Sequence, residues 1–172
     1  MNLALKELIA YSDDERARWN DWFRVQPSEV FQAPVQPDGR FPTVWSLLDH
    51  IFVVEQRHLQ RINSELPLPE TTGMREGDWA ALMAYGRKTR RSTLALAQSI
   101  GEQADVPREF HLANQRAVLT PKDLIFHAQI HEVRHWAQVA VALGNAGYKG
   151  PGDHDYVFHR ARIAAGPSAS TR

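Results

Sequence analysis

The chain has 172 residues, enough for one domain with a proper core, and its 20 Lys+Arg balance its 20 Asp+Glu. That zero net charge gives no electrostatic reason to expect nucleic acid or an anionic membrane as a partner. There is no cysteine, so disulfides, thiolate metal sites and cysteine nucleophiles are excluded, and any transition metal must rest on nitrogen and oxygen ligands.

Apolar spacing at i, i+3 and i+4 recurs four times, and period-2 alternation is scarce. The first helical segment is expected from about Asn2 to Val25, burying Leu5, Leu8, Ile9, Trp19, Trp22 and Phe23. Acids lie early in it and no long apolar run does, so it is not read as a secretory signal. A connector with Pro27, Pro34, Pro37 and Gly39 follows. The second segment starts after Pro42 with Thr43 as its cap and runs to about Asn63, where Pro67 and Pro69 stop it. The third runs from Asp78, a fair N-cap, to Ile100, ahead of Gly101.

The fourth segment has the clearest start: Thr120 as N-cap, Pro121 at the first helical position and Asp123 in the first turn. It breaks at Gly144-Asn145-Ala146-Gly147. A short extended stretch is allowed around Phe110 to Leu119. After Tyr148 the chain is rich in Gly, Pro, Ser and Ala, and its last dozen residues are expected to be mobile. The expected fold is all-α, a four-helix bundle over residues 1–147, with a C-terminal extension over 148–172. No run reaches the roughly 18 apolar residues of a membrane span, and a cytoplasmic protein is the default reading.

His127, His131 and His135 stand four apart on the fourth segment. On a helix each step of four advances only about 40° and rises about 6 Å. His131 and His135 thus share a stripe with Leu124, Ala128, Val139 and Ala142, with His127 at its edge. A buried imidazole needs a partner for each ring nitrogen, and charging it there is costly. One metal ion shared by both rings answers that cost, because neutral imidazole is a good ligand and an i, i+4 pair can hold one ion. Hydrogen-bonded core histidines are the bland alternative. A tight site needs a third ligand.

Three templates offer one. His131-Glu132-Val133-Arg134-His135 spells H-E-x-x-H, the zinc-protease helix with glutamate as general base. No glutamate follows Glu132, Gln138 and Val141 stand where a metzincin has glycine and histidine, and only Asp153 is left as a further ligand. A dinuclear carboxylate bundle would use Glu55-x-x-His58 and Glu132-x-x-His135 with Glu7 or Glu15, but the third segment has no carboxylate between Trp79 and Ile100. The third template is a mononuclear three-histidine site completed from the second segment. There the wheel leaves His50 and His58 both open, with His58 nearer the apolar centre. Glu55 also points inward, either toward an imidazole or metal-bound water, or into a salt bridge with an arginine.

The order of these features resembles the DinB (YfiT-like) family. LLDHIFVVEQ on the second segment and HAQIHEVRHWAQVAVALGNAGY on the fourth carry the resemblance. It implies His50, His131 and His135 as metal ligands, with His127 matching a histidine that is usually not one. Arg134 and Trp136-Ala137 depart from the family pattern. The resemblance also implies one divalent metal ion, zinc or nickel; separately, a homodimer is expected. Its implied activities are a metal-dependent hydrolase or a thiol S-transferase or isomerase using a low-molecular-weight thiol. The alternative is a metal-binding stress or interaction protein without turnover. A general base in reach of a metal-bound water, other than the ligands, would favour the enzyme, and a closed coordination shell with no adjoining pocket the alternative. Arg87, Lys88, Arg90 and Arg91 read as a solvated basic face. Trp136 lies off the histidine stripe and is a candidate for a subunit interface. His111, His154 and His159 carry no readable signal.

Overall fold

The computed structural model describes residues 5–36, 38–66, 68–112, 115–152 and 154–165, the side chains of 162–165 excepted. Asn2, Pro37, Pro67, Asp153 and the end expected to be mobile lie outside the described residues, except for 161–165, which continue the last helix.

The chain is mostly helical. Helix α1 spans Leu5–Phe23, α2 Val44–Ile62, α3 Trp79–Ser99, α4 Pro121–Asn145 and α5 Tyr156–Ala165. Strands β1 (Arg108–Leu112) and β2 (Gln115–Leu119) form an antiparallel hairpin with Phe110 opposite Ala117.

The starts follow local chemistry. Thr43 and Ser46 cap α2 reciprocally, Ser46 N donating to Thr43 Oγ1 at 3.3 Å and Thr43 N to Ser46 Oγ at 3.1 Å. Thr120 and Asp123 do the same for α4, with Pro121 in the first turn. Asp78 accepts from Ala81 N at 3.0 Å at the start of α3. Helix α1 ends at Phe23, two residues short of the expected Val25, ahead of Pro27.

Three elements go beyond the helical expectation. A 3₁₀ turn over Ser28–Gln32 buries Val30 and Phe31, so the Pro-rich connector contributes to the core. The extended stretch is a full hairpin that buries Phe110 against Ile62, Leu124 and Ile125. Helix α5 returns the chain to α1, where Tyr11 meets Tyr156 edge-on at 5.4 Å and His159 at 5.6 Å. The preceding loop is tied down too: His154 stacks on Trp19 and pairs with Glu15 at 2.6 Å.

Two sequence readings are corrected. Trp136 is not available as an interface residue: it is 2% exposed and stacks on Trp19 at 5.2 Å inside its own chain. Arg90 is not on a solvated face. Arg87, Lys88 and Arg91 are exposed, but Arg90 is buried and ion-paired. Both corrections have one cause. Helices α3 and α4 each have neighbours on more than one side, so their buried arcs exceed the single stripe that apolar residues mark.

Among the described residues no helix is long and apolar enough to cross a membrane.

Candidate metal centre

Helices α2 and α4 run antiparallel, and their shared register decides which side chains meet. Near the start of α2, His50 faces His131 and His135. Five residues on, Glu55 reaches the level of Glu132. His58 then faces His127 with ring centroids 5.2 Å apart, and Ile62 packs in one cluster with Leu124.

The three imidazoles converge through the same atom. His131 Nε2 lies 3.0 Å from His50 Nε2 and 3.0 Å from His135 Nε2. The three form the one group of His, Cys, Asp or Glu among the described residues that could hold a metal ion, with ligand atoms within 4.8 Å of one another. Four-coordinate zinc with bonds of about 2.0–2.1 Å sets its nitrogens about 3.3 Å apart. The observed spacing is close to that.

Burial keeps these rings neutral. It pushes His50 down to about 3 and His131 down to about 2, with neighbouring histidines adding to both shifts. His135 is lowered by burial as well, although the Gln138 hydrogen bond pulls the other way. That contact has a second consequence. Gln138 Oε1 accepts the proton of His135 Nδ1, which leaves the lone pair on Nε2, facing the centre. Three neutral nitrogens aimed at one point have no proton or counter-group of their own to share, and a divalent cation is the species that matches them.

Phe41 walls the site on the connector side. Its ring centroid lies 4.4 Å from that of His50 and 5.9 Å from that of His135, and the Arg40 guanidinium sits over the same ring, 5.2 Å from its centroid. Beside His50 opens a cavity of about 580 Å³, lined among others by Arg40, Phe41, Asp49, Arg57 and Glu70. Phe41 and Arg40 were not legible as site residues, since nothing in the spacing of the connector ties them to a histidine on a helix, and Arg57 read only as one more charge on α2.

The other candidates have different places. His58, the alternative third ligand, is buried but turned toward His127 and Arg61, away from the three-histidine group. Glu132, the glutamate of the H-E-x-x-H string, points to the opposite side of α4. There it binds Arg16 Nε at 2.5 Å and Arg90 Nη2 at 2.8 Å, and accepts from Ser12 Oγ and Trp136 Nε1. Glu55 joins the same network through Arg16 at 2.5 Å, Arg90 at 2.9 Å and Thr93 Oγ1 at 2.6 Å. The two Glu-x-x-His glutamates therefore do come together, with two guanidiniums where a dinuclear site would have its ions.

The DinB family model matches residues 1–165. Comparison with curated proteins gives no match. The chain belongs to the DinB family.

Proposed function

We propose that His50, His131 and His135 hold one divalent ion, zinc or nickel, in a four-helix-bundle frame, and that the chain is a metal-dependent enzyme, a thiol S-transferase or a hydrolase. The observation that carries this reading is the convergence of three neutral Nε2 atoms beside a cavity of about 580 Å³. That volume lies in the range of small-molecule sites, and a purely structural ion has no use for it. An ion on three imidazoles supplies Lewis acidity, lowering the pKa of a thiol or water brought to it.

The residues around it divide the remaining work. Gln138 holds the His135 tautomer, Phe41 shields one side from water, and the cavity admits the second reactant. Of the two reactions, thiol transfer fits better. Hydrolysis calls for a free base near the attacking water. Glu55 and Glu132 are tied to Arg16 and Arg90, the Asp49 carboxylate accepts from Thr72 N at 3.1 and 3.2 Å and from its hydroxyl, and Glu70 lies exposed at the cavity rim, outside the group of ligand atoms around the histidines. A thiol starts far more acidic than water and needs no such base.

Metal analysis of purified wild type beside His50→Ala and His58→Ala tests the ligand set. We expect one ion per chain in wild type and in His58→Ala, and loss in His50→Ala. The reverse pattern would overturn the assignment, and a wild type that takes up no ion on reconstitution would remove the whole reading. The same reading takes the chain as a homodimer, with exposed Ile130 and Val141 on α4 as an apolar patch. Sedimentation of wild type against Val141→Glu checks this, and a monomeric wild type would refute it.

A further inference from the structure

The cavity beside His50 is lined by two guanidiniums, those of Arg40 and Arg57. Neither Arg40 nor Arg57 has a carboxylate in ion-pair reach among the described residues. Arg57 carries the sharper signal: no group among the described residues holds its guanidinium, its Nε is closed off without a hydrogen-bond partner, and the rest of the side chain lines the cavity. Leaving a buried donor of a charged group unpaired is costly, so such atoms in native proteins call for an explanation.

The acids of the cavity do not supply one. Asp49 is engaged by Thr72, and Glu70 lies exposed at the rim without an ion pair. Arg57 and His50 are two turns apart on α2, about 10 Å along its axis, and both line the cavity. Arg40 closes the mouth from the connector, resting on Phe41, which itself rests on His50. A guanidinium presents paired N–H donors that match a carboxylate or phosphate edge.

We infer that this cavity binds a small molecule through a carboxylate or phosphate group, held by Arg57 with Arg40 at the mouth, while the rest of the molecule extends toward the three histidines. The inference names the substrate class of the proposed enzyme and rests on that reading for the far end of the ligand.

The arginine end can be tested without the metal. The Nε–H signal of Arg57 is identified by NMR from its disappearance in Arg57→Lys, which keeps the positive charge. Metal-free and zinc-loaded protein are then titrated with propionate, inorganic phosphate and, as the uncharged control, propionamide. We expect the Arg57 signal to shift and saturate with an anion and to ignore propionamide, in both forms of the protein. Tighter binding of propionate would assign a carboxylate, and of phosphate a phosphate. Arg57→Gln should weaken anion binding by at least about tenfold, and Arg40→Gln by less. An Arg57 signal unmoved by either anion overturns the inference. So does an anion that binds only when zinc is present and equally well to Arg57→Gln, since it would then sit on the metal. A protein that takes up no zinc yet shows the Arg57 shift would cost the metal reading and leave the anion site standing.

Discussion

Helices α2 and α4 carry two polar clusters, and the two are opposites. Glu55 and Glu132 meet Arg16 and Arg90, one charge from each of α1 to α4, every one at most 5% exposed. Each carboxylate has two guanidiniums and a hydroxyl, so the cluster is saturated from within. The histidine cluster brings together three uncharged rings with nothing to share. On α4 the two are adjacent in sequence, His131 on one side and Glu132 on the other. The difference separates structure from site: a buried polar group that finds all its partners inside the chain holds helices together, and one that finds none waits for something from outside.

The largest effect expected from this contrast comes from Glu132→Ala. It strands two buried guanidiniums and should cost about 3–5 kcal/mol in urea unfolding. His131→Ala, one residue away, should abolish metal binding and leave metal-free stability nearly unchanged. Equal destabilisation by the two would erase the distinction drawn here.

Acid should separate the clusters next. Burial lowers His50 to about 3, His131 to about 2 and His58 to about 3, from an ordinary 6.5. Below 6.5 the unfolded chain takes up protons that the folded chain refuses, so their contribution is complete above 6.5 and fades as pH falls toward 3. For Glu55, burial would raise the pKa, but Arg16 and Arg90 outweigh it and hold the carboxyl at about 2, from an ordinary 4.5. Its contribution fades only below 4.5. Metal-free protein should therefore lose stability between pH 6.5 and 4.5 on the histidines' account, before Glu55 contributes to the loss. A flat unfolding midpoint across that window would show that the rings are not held neutral.

The smallest effect belongs to Gln138→Ala. Freeing the His135 tautomer should weaken zinc binding by about 10- to 100-fold without removing it. Competition with a chelator of known strength measures this, and an unchanged affinity would mean that the contact does not orient the ring.

Much of the frame was legible in the sequence. The capping residues Thr43, Asp78 and Thr120, the four long helices and the inward stripe of His131 and His135 with Leu124, Ala128, Val139 and Ala142 follow from spacing and local hydrogen bonding. Helix α5 was not legible. Its segment is short and its hold on α1 comes from Tyr11 and Asp14, more than a hundred residues away.

The histidine pair and its inward direction were thus determined by the sequence itself, because i, i+4 spacing fixes angle and rise along one helix. The choice between His50 and His58 was not. The wheel ranked His58 as the more buried ring, and it is, at 6% exposed against the half-buried His50. Burial did not make it a member of the group. The two rings stand eight residues apart, about 12 Å along α2, and a wheel records rotation without height relative to a neighbouring helix. Only the antiparallel register of α2 against α4 set that height, placing His50 opposite the pair and His58 opposite His127. The same register, with α1 and α3 on the far side, brought Arg16 and Arg90 to the two glutamates and turned the H-E-x-x-H glutamate away from its histidines.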